Sequence, residues 1–338
     1  SNGKTTVKEM IASILSRVGP TLATAGNYNN ELGVPLTLGR LESDHRFAAV
    51  EMGCGQSGDI RYLAELASPE VGVVTNAGPA HLERLGSIEG VARTKGELFE
   101  RLSSQGIAVI NRDDDFADYW LRLTRHCGRI GFGRSSKADV RDRDSAGSML
   151  VMETPLGLIE TCLALPGAHN RMNALAATAV AIALEIPVDD IAAGLAAVRS
   201  LPGRLEAHPT EAGWTLIDDT YNANPASLYA GLKVISESGR EAWLVLGDMA
   251  ELGDESEKLH AEIGQSAADL GGKRLFAVGR DSQAAVLAFG QGAQHYGSHA
   301  ELAAALGSQV HEGVICLVKG SRSSAMETIV QDLIGEAR

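Results

Sequence analysis

Ser1-Asn2-Gly3-Lys4-Thr5-Thr6 runs straight into VKEMIASILSRV (Val7 to Val18), and this junction decides how the chain is read. In the phosphate-loop pattern G-x-x-x-x-G-K-[ST], Gly3, Lys4 and Thr5 hold the last three positions. The spacing has a chemical basis. A glycine lets backbone N–H groups curl around phosphate oxygens, a lysine neutralises their charge, and a threonine hydroxyl can reach Mg²⁺. The helix-forming stretch that follows would point its positive N-terminal end at the anion. Such a loop normally follows a strand, so the chain reads as a fragment that begins inside its own phosphate site, with that strand upstream.

Outward from this loop, apolar runs alternate with helical stretches. FAAVEMG (Phe47 to Gly53), VGVVTNAG (Val71 to Gly78) and GIAVINRDDD (Gly106 to Asp115) read as buried parallel strands that end in polar groups. DIRYLAELA and GVARTKGELFERL lie between them as helices, whereas TLATAGNYNNELGVPLTLGRL reads as loops around a site. The alternation is that of a doubly wound α/β sheet. From Gly128 to Leu165 the pattern changes to GRIGFGR, SMLVMETP and LIETCLALP, expected as an antiparallel annex. PGAHNRMNALAATAVAIALE and DDIAAGLAAV then read as helices.

Pro202 and Gly203 mark a boundary near Leu201, which separates residues 1–201 from 202–338. The second block restarts the alternation. WTLIDDTY, EAWLVLGD, KRLFAVG and GVICLVKGS are its strands, and PASLYAGLKVISES, SEKLHAEIGQSAADL and SAMETIVQDLIGEA its helices. Strand ends at Asp219, Asp248 and Lys319 bring polar groups to the edge where open α/β sheets bind ligands. GFGRSS comes nearest to G-x-G-x-x-G and lacks its last glycine, which excludes a nicotinamide fingerprint.

The 338 residues suffice for two full cores, and the 44% hydrophobic content suits a globular chain. With 43 acidic against 30 basic residues and a net charge of -13, nucleic acid and anionic membranes are excluded as principal partners. Cys54, Cys127, Cys162 and Cys316 form no C-x-x-C pair, so neither a zinc ribbon nor a disulfide framework is indicated and a cytoplasmic setting is expected. No apolar run is long enough for an integral membrane segment.

Several residues carry chemistry by type and position. Glu51 ends an apolar strand, where a carboxylate can hold Mg²⁺ or make a structural salt bridge. His81 lies in a glycine- and proline-rich loop and can face a site or simply solvent. Asn170 and Asn173 share one face of an alanine-rich helix, as caps or as a ligand edge. Arg204, in the interdomain turn, suits a phosphate clamp or a hinge salt bridge equally. DDTYNANP (Asp218 to Pro225) gathers two carboxylates, a tyrosine and two asparagines at a strand end. Lys95, by spacing alone, is an ordinary surface lysine.

SNGKTTVKEMIASIL, TAGNYNNELGVPLTL, NAGPAHLERLGSIEGVARTKGELF, LPGAHNRMNALAA, PGRLE, DDTYNANPAS, VLGDMAELG and LVKGSRSSAME occur in one order along the chain, and together they resemble the Mur ligase family, ATP-dependent amide-forming enzymes of peptidoglycan synthesis. The resemblance implies a P-loop ATPase-like central domain with a mostly parallel sheet, followed by a Rossmann-like α/β C-terminal domain. DDTYNANP with GDMAELG favours the branch that joins UDP-MurNAc-tripeptide to D-alanyl-D-alanine. Other amide ligases of the superfamily, such as folylpolyglutamate synthase, and a non-catalytic nucleotide-binding module are the alternatives.

Residue by residue, the resemblance implies that Gly3, Lys4, Thr5 and Thr6 form the ATP phosphate and Mg²⁺ loop. It implies that Glu51 and His81 bind metal and that Lys95 is carried as a carbamate that helps to hold a second Mg²⁺. Asn27, Asn170 and Asn173 match nucleotide-side asparagines, Arg204 the phosphate-binding arginine and Asp219 the ribose-side aspartate. Asn222 and Asn224 match the motif without distinct roles. A monomer that swings its C-terminal domain about Leu201 to Arg204 is expected. Three departures stand out: the family's N-terminal, uridine-diphosphate-holding domain does not appear, nor does the glycine before Ser1, and Gly55-Gln56 replace a common Asn-His.

Overall fold

The structure is a computed structural model that describes residues 1–79, 82–143 and 147–336. The chain divides into two compact units, Ser1–Arg199 and Ser200–Arg338.

In the first unit the elements run α1 (Lys4–Leu15), β1 (Thr21–Ala23), α2 (Gly33–Leu38), β2 (Phe47–Ala49), α3 (Asp59–Ala67), β3 (Val71–Val74), α4 (Leu82–Leu85), α5 (Ile88–Glu100), β4 (Ile107–Asn111), α6 (Ala117–Leu123), β5 (Gly128–Gly133), β6 (Val140–Asp142), β7 (Met149–Thr154), β8 (Gly157–Cys162), α7 (Ala168–Ala183) and α8 (Val188–Ala197). The main sheet has the order β3-β4-β5-β6-β7-β8, parallel through β6 and antiparallel from β6 to β8. β1 and β2 pair parallel in a sheet of their own. One face of the main sheet is covered by α1, α7 and α8, with Met10, Ile14, Leu175, Ile191 and Leu195 fully buried. On the other face α5 and α6 bring Phe99 and Trp120 edge to face, 6.2 Å apart.

α1 forms because Val7, Met10, Ile11, Ile14 and Leu15 recur at helical spacing on one face. That face meets α8 at Gly194, where a Cβ would collide with the Ile14 backbone, so the two helices cross at glycine distance. α7 is alanine-rich for a related reason. Ala174, Ala176, Ala177, Ala179 and Ala181 are buried between β3 to β6 on one side and α1 on the other, where larger side chains would hold the layers apart.

Three sequence expectations need correction here. GRIGFGR does not open the antiparallel annex, because β5 pairs parallel with β4 and only β6 to β8 form antiparallel ladders. The stretch read as loops between Thr21 and Leu41 contains β1 and α2, both too short to show a period. The strand expected over 47–53 ends at Ala49, since the Glu51 N–H turns from the ladder to Thr24 Oγ1 at 2.9 Å. FAAVEMG also pairs with β1 and not with VGVV.

The second unit runs β9 (Glu206–Pro209), β10 (Thr215–Asp218), α9 (Pro225–Ser236), β11 (Glu241–Leu246), α10 (Ser256–Asp269), β12 (Arg274–Val278), α11 (Gln283–Phe289), β13 (Ala293–Tyr296), α12 (His299–Gln309), β14 (Val314–Lys319) and α13 (Glu327–Glu336). The sheet order is β13-β12-β11-β14-β10-β9, parallel except for the antiparallel edge strand β9. Every residue of β14 is buried, as a central parallel strand covered on both faces requires. α9, α10 and α11 pack around Ile217, Leu244 and Leu317 on one face, while α12 and α13 pack around Leu216, Val245 and Val318 on the other. β9, β13, α11 and α12 went unread, because EAHP and AQHY are polar edge strands with no apolar run to mark them. WTLIDDTY, expected as a strand over 214–221, stops at Asp218. There the Thr220 N–H and hydroxyl donate to Asp218 Oδ1 at 3.0 and 2.6 Å and turn the chain.

Among the described residues, no helix is long and apolar enough to cross a membrane.

Candidate active site

In the first unit the loop Ser1–Gly3 is stitched to the segment that follows β3. The Asn2 N–H donates to Asn76 Oδ1 at 3.0 Å, while Thr75 Oγ1 and Asn76 Nδ2 donate to the Asn2 carbonyl at 2.8 and 3.0 Å. Ser1 Oγ donates to the Gly78 carbonyl at 2.8 Å. Asn111 Nδ2 holds the Thr75 carbonyl from below, and the Ala77 N–H donates to Asp114 Oδ2, both at 2.8 Å. These bonds from the segment after β3 fix the shape of the loop ahead of α1.

Gly3 sits at φ +82°, the left-handed region, as the residue before α1. A Cβ there would also collide with Asn173 Oδ1, so both backbone geometry and packing demand glycine. Asn173 and Asn170 are buried on one face of α7. Asn173 Nδ2 donates to Asn170 Oδ1 at 3.1 Å, and Asn170 Nδ2 to the Pro166 carbonyl at 2.8 Å. Gly3, Asn170 and Asn173 therefore come together. Lys4 Nζ lies 3.3 Å from the Ser1 carbonyl oxygen, and Lys4 and Lys95 both stand near enough to the Ser1 nitrogen for their charges to act on it. Lys95 is buried on α5, at 9% exposure, rather than a surface lysine, and among the described residues it has no carboxylate partner. Thr5 is buried at the start of α1 and Thr6 half-buried beside it.

Glu51 is 6% exposed, and its two oxygens differ. Oε1 accepts from Asn29 Nδ2 at 2.7 Å, whereas Oε2 is buried with no hydrogen-bond partner. A buried carboxylate oxygen without a donor is costly, and a hard divalent cation with oxygen ligands is what satisfies it. Asn29 was missed by sequence reasoning. Asn27, which was singled out, is exposed and contributes its backbone carbonyl to the Asn29 N–H at 2.7 Å. Gly55 and Gln56 both donate backbone N–H groups to Asp59 Oδ2 at 2.8 and 2.9 Å, which ties this loop to the first residue of α3 whatever side chains the two positions carry. Glu97, also missed, is a buried carboxylate that accepts from the Gly58 and Arg61 N–H groups at 2.9 and 3.0 Å. His81 lies outside the described residues.

In the second unit the PGRLE turn folds onto DDTYN. The Tyr221 N–H donates to the Gly203 carbonyl at 3.0 Å, and the Arg204 guanidinium lies 4.0 Å from the Tyr221 ring centroid. Asp219 Oδ2 pairs with Lys319 Nζ at 2.6 Å, and Oδ1 accepts from the Leu205 N–H at 3.2 Å. Burial pushes the Asp219 carboxyl up, against the Lys319 ammonium and the Arg204 charge, which hold it down. Lys319 also donates to the Asn222 carbonyl at 2.9 Å. No local pattern tied Lys319 to this motif; only the adjacency of β14 to β10 does so.

The two motif asparagines differ. Asn224 is the N-cap of α9, in a capping box where its Oδ1 takes the Ser227 N–H at 2.9 Å and Ser227 Oγ takes the Asn224 N–H at 3.1 Å. Asn222 is exposed, with its Oδ1 on the neighbouring Ala223 N–H. Asn224→Ala lowers stability by about 1 kcal/mol, and Asn222→Ala by less than about 0.5 kcal/mol. Urea unfolding of both variants checks this, and equal losses would remove the capping assignment.

Residues 1–181 match the model of the Mur ligase middle domain, and residues 203–322 that of the Mur ligase glutamate ligase domain. The chain is 41% identical to the UDP-N-acetylmuramoyl-tripeptide–D-alanyl-D-alanine ligase of Escherichia coli, over 98% of this chain and 75% of that protein. Among solved structures it is similar to MurF from Acinetobacter baumannii, with a TM-score of 0.94 and 35% identity over 99% of this chain and 75% of that one. It is also similar to the Thermotoga maritima MurF ligase in complex with ADP, with a TM-score of 0.88 and 26% identity over 100% of this chain and 78% of that one. A glycine-kinked loop ahead of α1, two successive α/β units and these matches along nearly the whole chain make it a member of the Mur ligase family.

Proposed function

We propose that the protein is an ATP-dependent ligase that adds D-alanyl-D-alanine to UDP-MurNAc-tripeptide in peptidoglycan synthesis. The observation that carries this reading is the preformed loop Ser1–Gly3, locked to Thr75–Gly78 and to Asn173, in a chain so similar to a ligase of that name. In the reaction an oxygen of the tripeptide's terminal carboxylate attacks the γ-phosphorus of ATP and ADP leaves. The amine nitrogen of D-alanyl-D-alanine then attacks the acyl carbon of the resulting acyl phosphate. Phosphate departs, the nitrogen loses a proton, and the amide remains.

This chain's residues would divide the work by charge and position. The N-terminal end of α1, with Gly3, Thr5 and Thr6, binds the nucleotide phosphates, and Lys4 neutralises charge as it spreads over the transferring phosphoryl oxygens. In the second unit Arg204, steadied by the Tyr221 ring, is the phosphate-contacting cation. Asn170 and Asn173 flank the loop on the nucleotide side, and Asn27 in the first unit and Asn222 in the second are exposed amides open to a ligand. Asp219 would serve the ribose while its carboxylate is shared with Lys319.

The unsatisfied Glu51 Oε2 fits Mg²⁺, with Thr5, His81 and a modified Lys95 as further ligands. When bound, Mg²⁺ supplies charge neutralisation to the phosphoryl oxygens. Lys95 fits a carbamate: a buried ammonium that shares the surroundings of the Ser1 nitrogen with Lys4 and has no acidic partner among the described residues is unfavourable, and loss of its proton followed by addition of CO₂ to the amine, with release of a second proton, turns it into an anion. ¹³C-bicarbonate is expected to give a carbamate resonance in the wild type that Lys95→Ala abolishes. A wild-type spectrum without that resonance at any pH would sink the assignment.

We take the enzyme to work as a cytoplasmic monomer on small-molecule substrates. The deciding experiment is phosphate release from ATP by the full-length protein, with each substrate alone and with both. Release that requires UDP-MurNAc-tripeptide and D-alanyl-D-alanine together is the expected result. Release with a glutamate acceptor in place of D-alanyl-D-alanine would overturn the substrate assignment, and absence of release with any pair would overturn the ligase assignment.

A further inference from the structure

β9 is an edge strand, and its polar residues do not simply face water. Glu206 and His208 alternate onto one face, and across the antiparallel ladder Asp218 stands opposite Glu206 while Leu216 stands opposite His208. One ligand-type atom from each of Glu206, His208 and Asp218 lies within 4.8 Å of the others. His208 Nε2 and Glu206 Oε2 are 3.7 Å apart, too far for a hydrogen bond, and Nε2 is buried without any hydrogen-bond partner. Asp218 uses Oδ1 for the turn at Thr220, and its other oxygen has no partner among the described residues.

This cluster is separate from the Asp219–Lys319 pair. A Cβ on Gly231 of α9 would lie 3.6 Å from Asp219 Oδ2, so Asp219 faces α9. Asp218, the preceding residue, points to the opposite face, with Leu216 and Trp214 in the core beneath α12 and α13.

We propose that Glu206, His208 and Asp218 bind a first-row transition cation of the Zn²⁺ class, which ties edge strand β9 to β10. Two ligands each about 2.1 Å from one Zn²⁺ at a tetrahedral angle stand about 3.4 Å apart; the His208–Glu206 pair is near that spacing at 3.7 Å, and side-chain rotation has to bring the set of three in from within 4.8 Å. One imidazole with two carboxylates favours such a cation over Mg²⁺ or Ca²⁺. A divalent ion also cancels the two negative charges on one strand pair and satisfies Nε2. With three protein ligands, a fourth position is left for water.

The test is titration of the chelator-treated full chain with Co²⁺, read by its ligand-field absorption, and with Zn²⁺, read by thermal unfolding. Wild type and Glu51→Gln should both develop the tetrahedral band and gain thermal midpoint with Zn²⁺. His208→Gln should weaken binding by more than about tenfold, the lower bound for losing even an outer partner of a metal site, and should lose the midpoint gain. His208 is half-exposed on an edge strand, so the variant is expected to fold, which circular dichroism checks. An imidazole nitrogen shift at His208 on addition of Zn²⁺ to the wild type provides a readout that needs no variant. Binding unchanged in His208→Gln, binding lost in Glu51→Gln, or no imidazole shift would each overturn the site. Charge on β9 would then serve only to discourage edge-to-edge pairing.

Discussion

Lys4→Ala in the full-length protein should lower kcat by about 10³-fold, the upper range for removal of one preorganised donor to a developing anion. The fold should be unaffected. Lys4 is half-buried at the first position of α1, alanine is the best helix former, and although Lys4 Nζ donates to the Ser1 carbonyl, the bonds of Ser1 and Asn2 to Asn76 and Gly78 hold the loop without it. Steady-state kinetics with both substrates, together with circular dichroism and a thermal melt, separate the two effects. A loss confined to KM would mean that Lys4 binds ground-state phosphate without stabilising the transition state. Turnover within about tenfold of wild type would remove Lys4 from the chemistry. Lys4→Arg keeps the charge but changes the reach, and it is expected to recover only part of the rate.

Lys319→Met should destabilise the second unit by about 3–5 kcal/mol, the cost of leaving one member of a buried ion pair uncompensated. Lys319 is 3% exposed at its side chain and Asp219 13%, and the variant strands both the Asp219 carboxylate and the Asn222 carbonyl. Asp219→Asn combined with Lys319→Met should recover much of the loss, because the buried charge then disappears. Urea unfolding of the two single variants and the double variant closes the cycle, and strictly additive losses would show that the pair does not couple.

The pH dependence has a definite sign. Burial already pushes the Asp219 carboxyl up, and removal of Lys319 takes away the chief opposing charge. A raised carboxyl stabilises the fold relative to the unfolded chain while it is protonated, and that contribution is lost as pH rises through its folded value. The deficit of Lys319→Met should therefore narrow as pH falls from neutrality toward the acidic range and be largest above it. A deficit that grew on acidification would contradict the assignment.

Much of the architecture is legible before any coordinates because its signals are local. A parallel strand buried on both faces must be apolar along its length, so AWLVL and VICLV announce themselves, VGVV and TLI are legible by the same apolar character, and the longer intervening helices follow from their 3.6-residue apolar period. Gly3 with Lys4 ahead of a helix is equally local, since the left-handed turn and the orphan N–H groups of the helix end belong to consecutive residues. Edge strands such as EAHP carry no such mark, and GRIGFGR looks the same in a parallel or an antiparallel ladder.

What the sequence by itself determined was two α/β blocks, the order of their motifs and the phosphate loop. Tertiary structure alone decided which side chains meet. It made Asn29 the partner of Glu51, pressed Asn173 against Gly3, buried Lys95, and set Lys319 on Asp219. It also aligned Glu206 and His208 with Asp218. Each of these joins residues distant in the chain through ladder register and helix crossing. A one-residue slip in a strand would send every such side chain to the opposite face, and no local pattern encodes that choice.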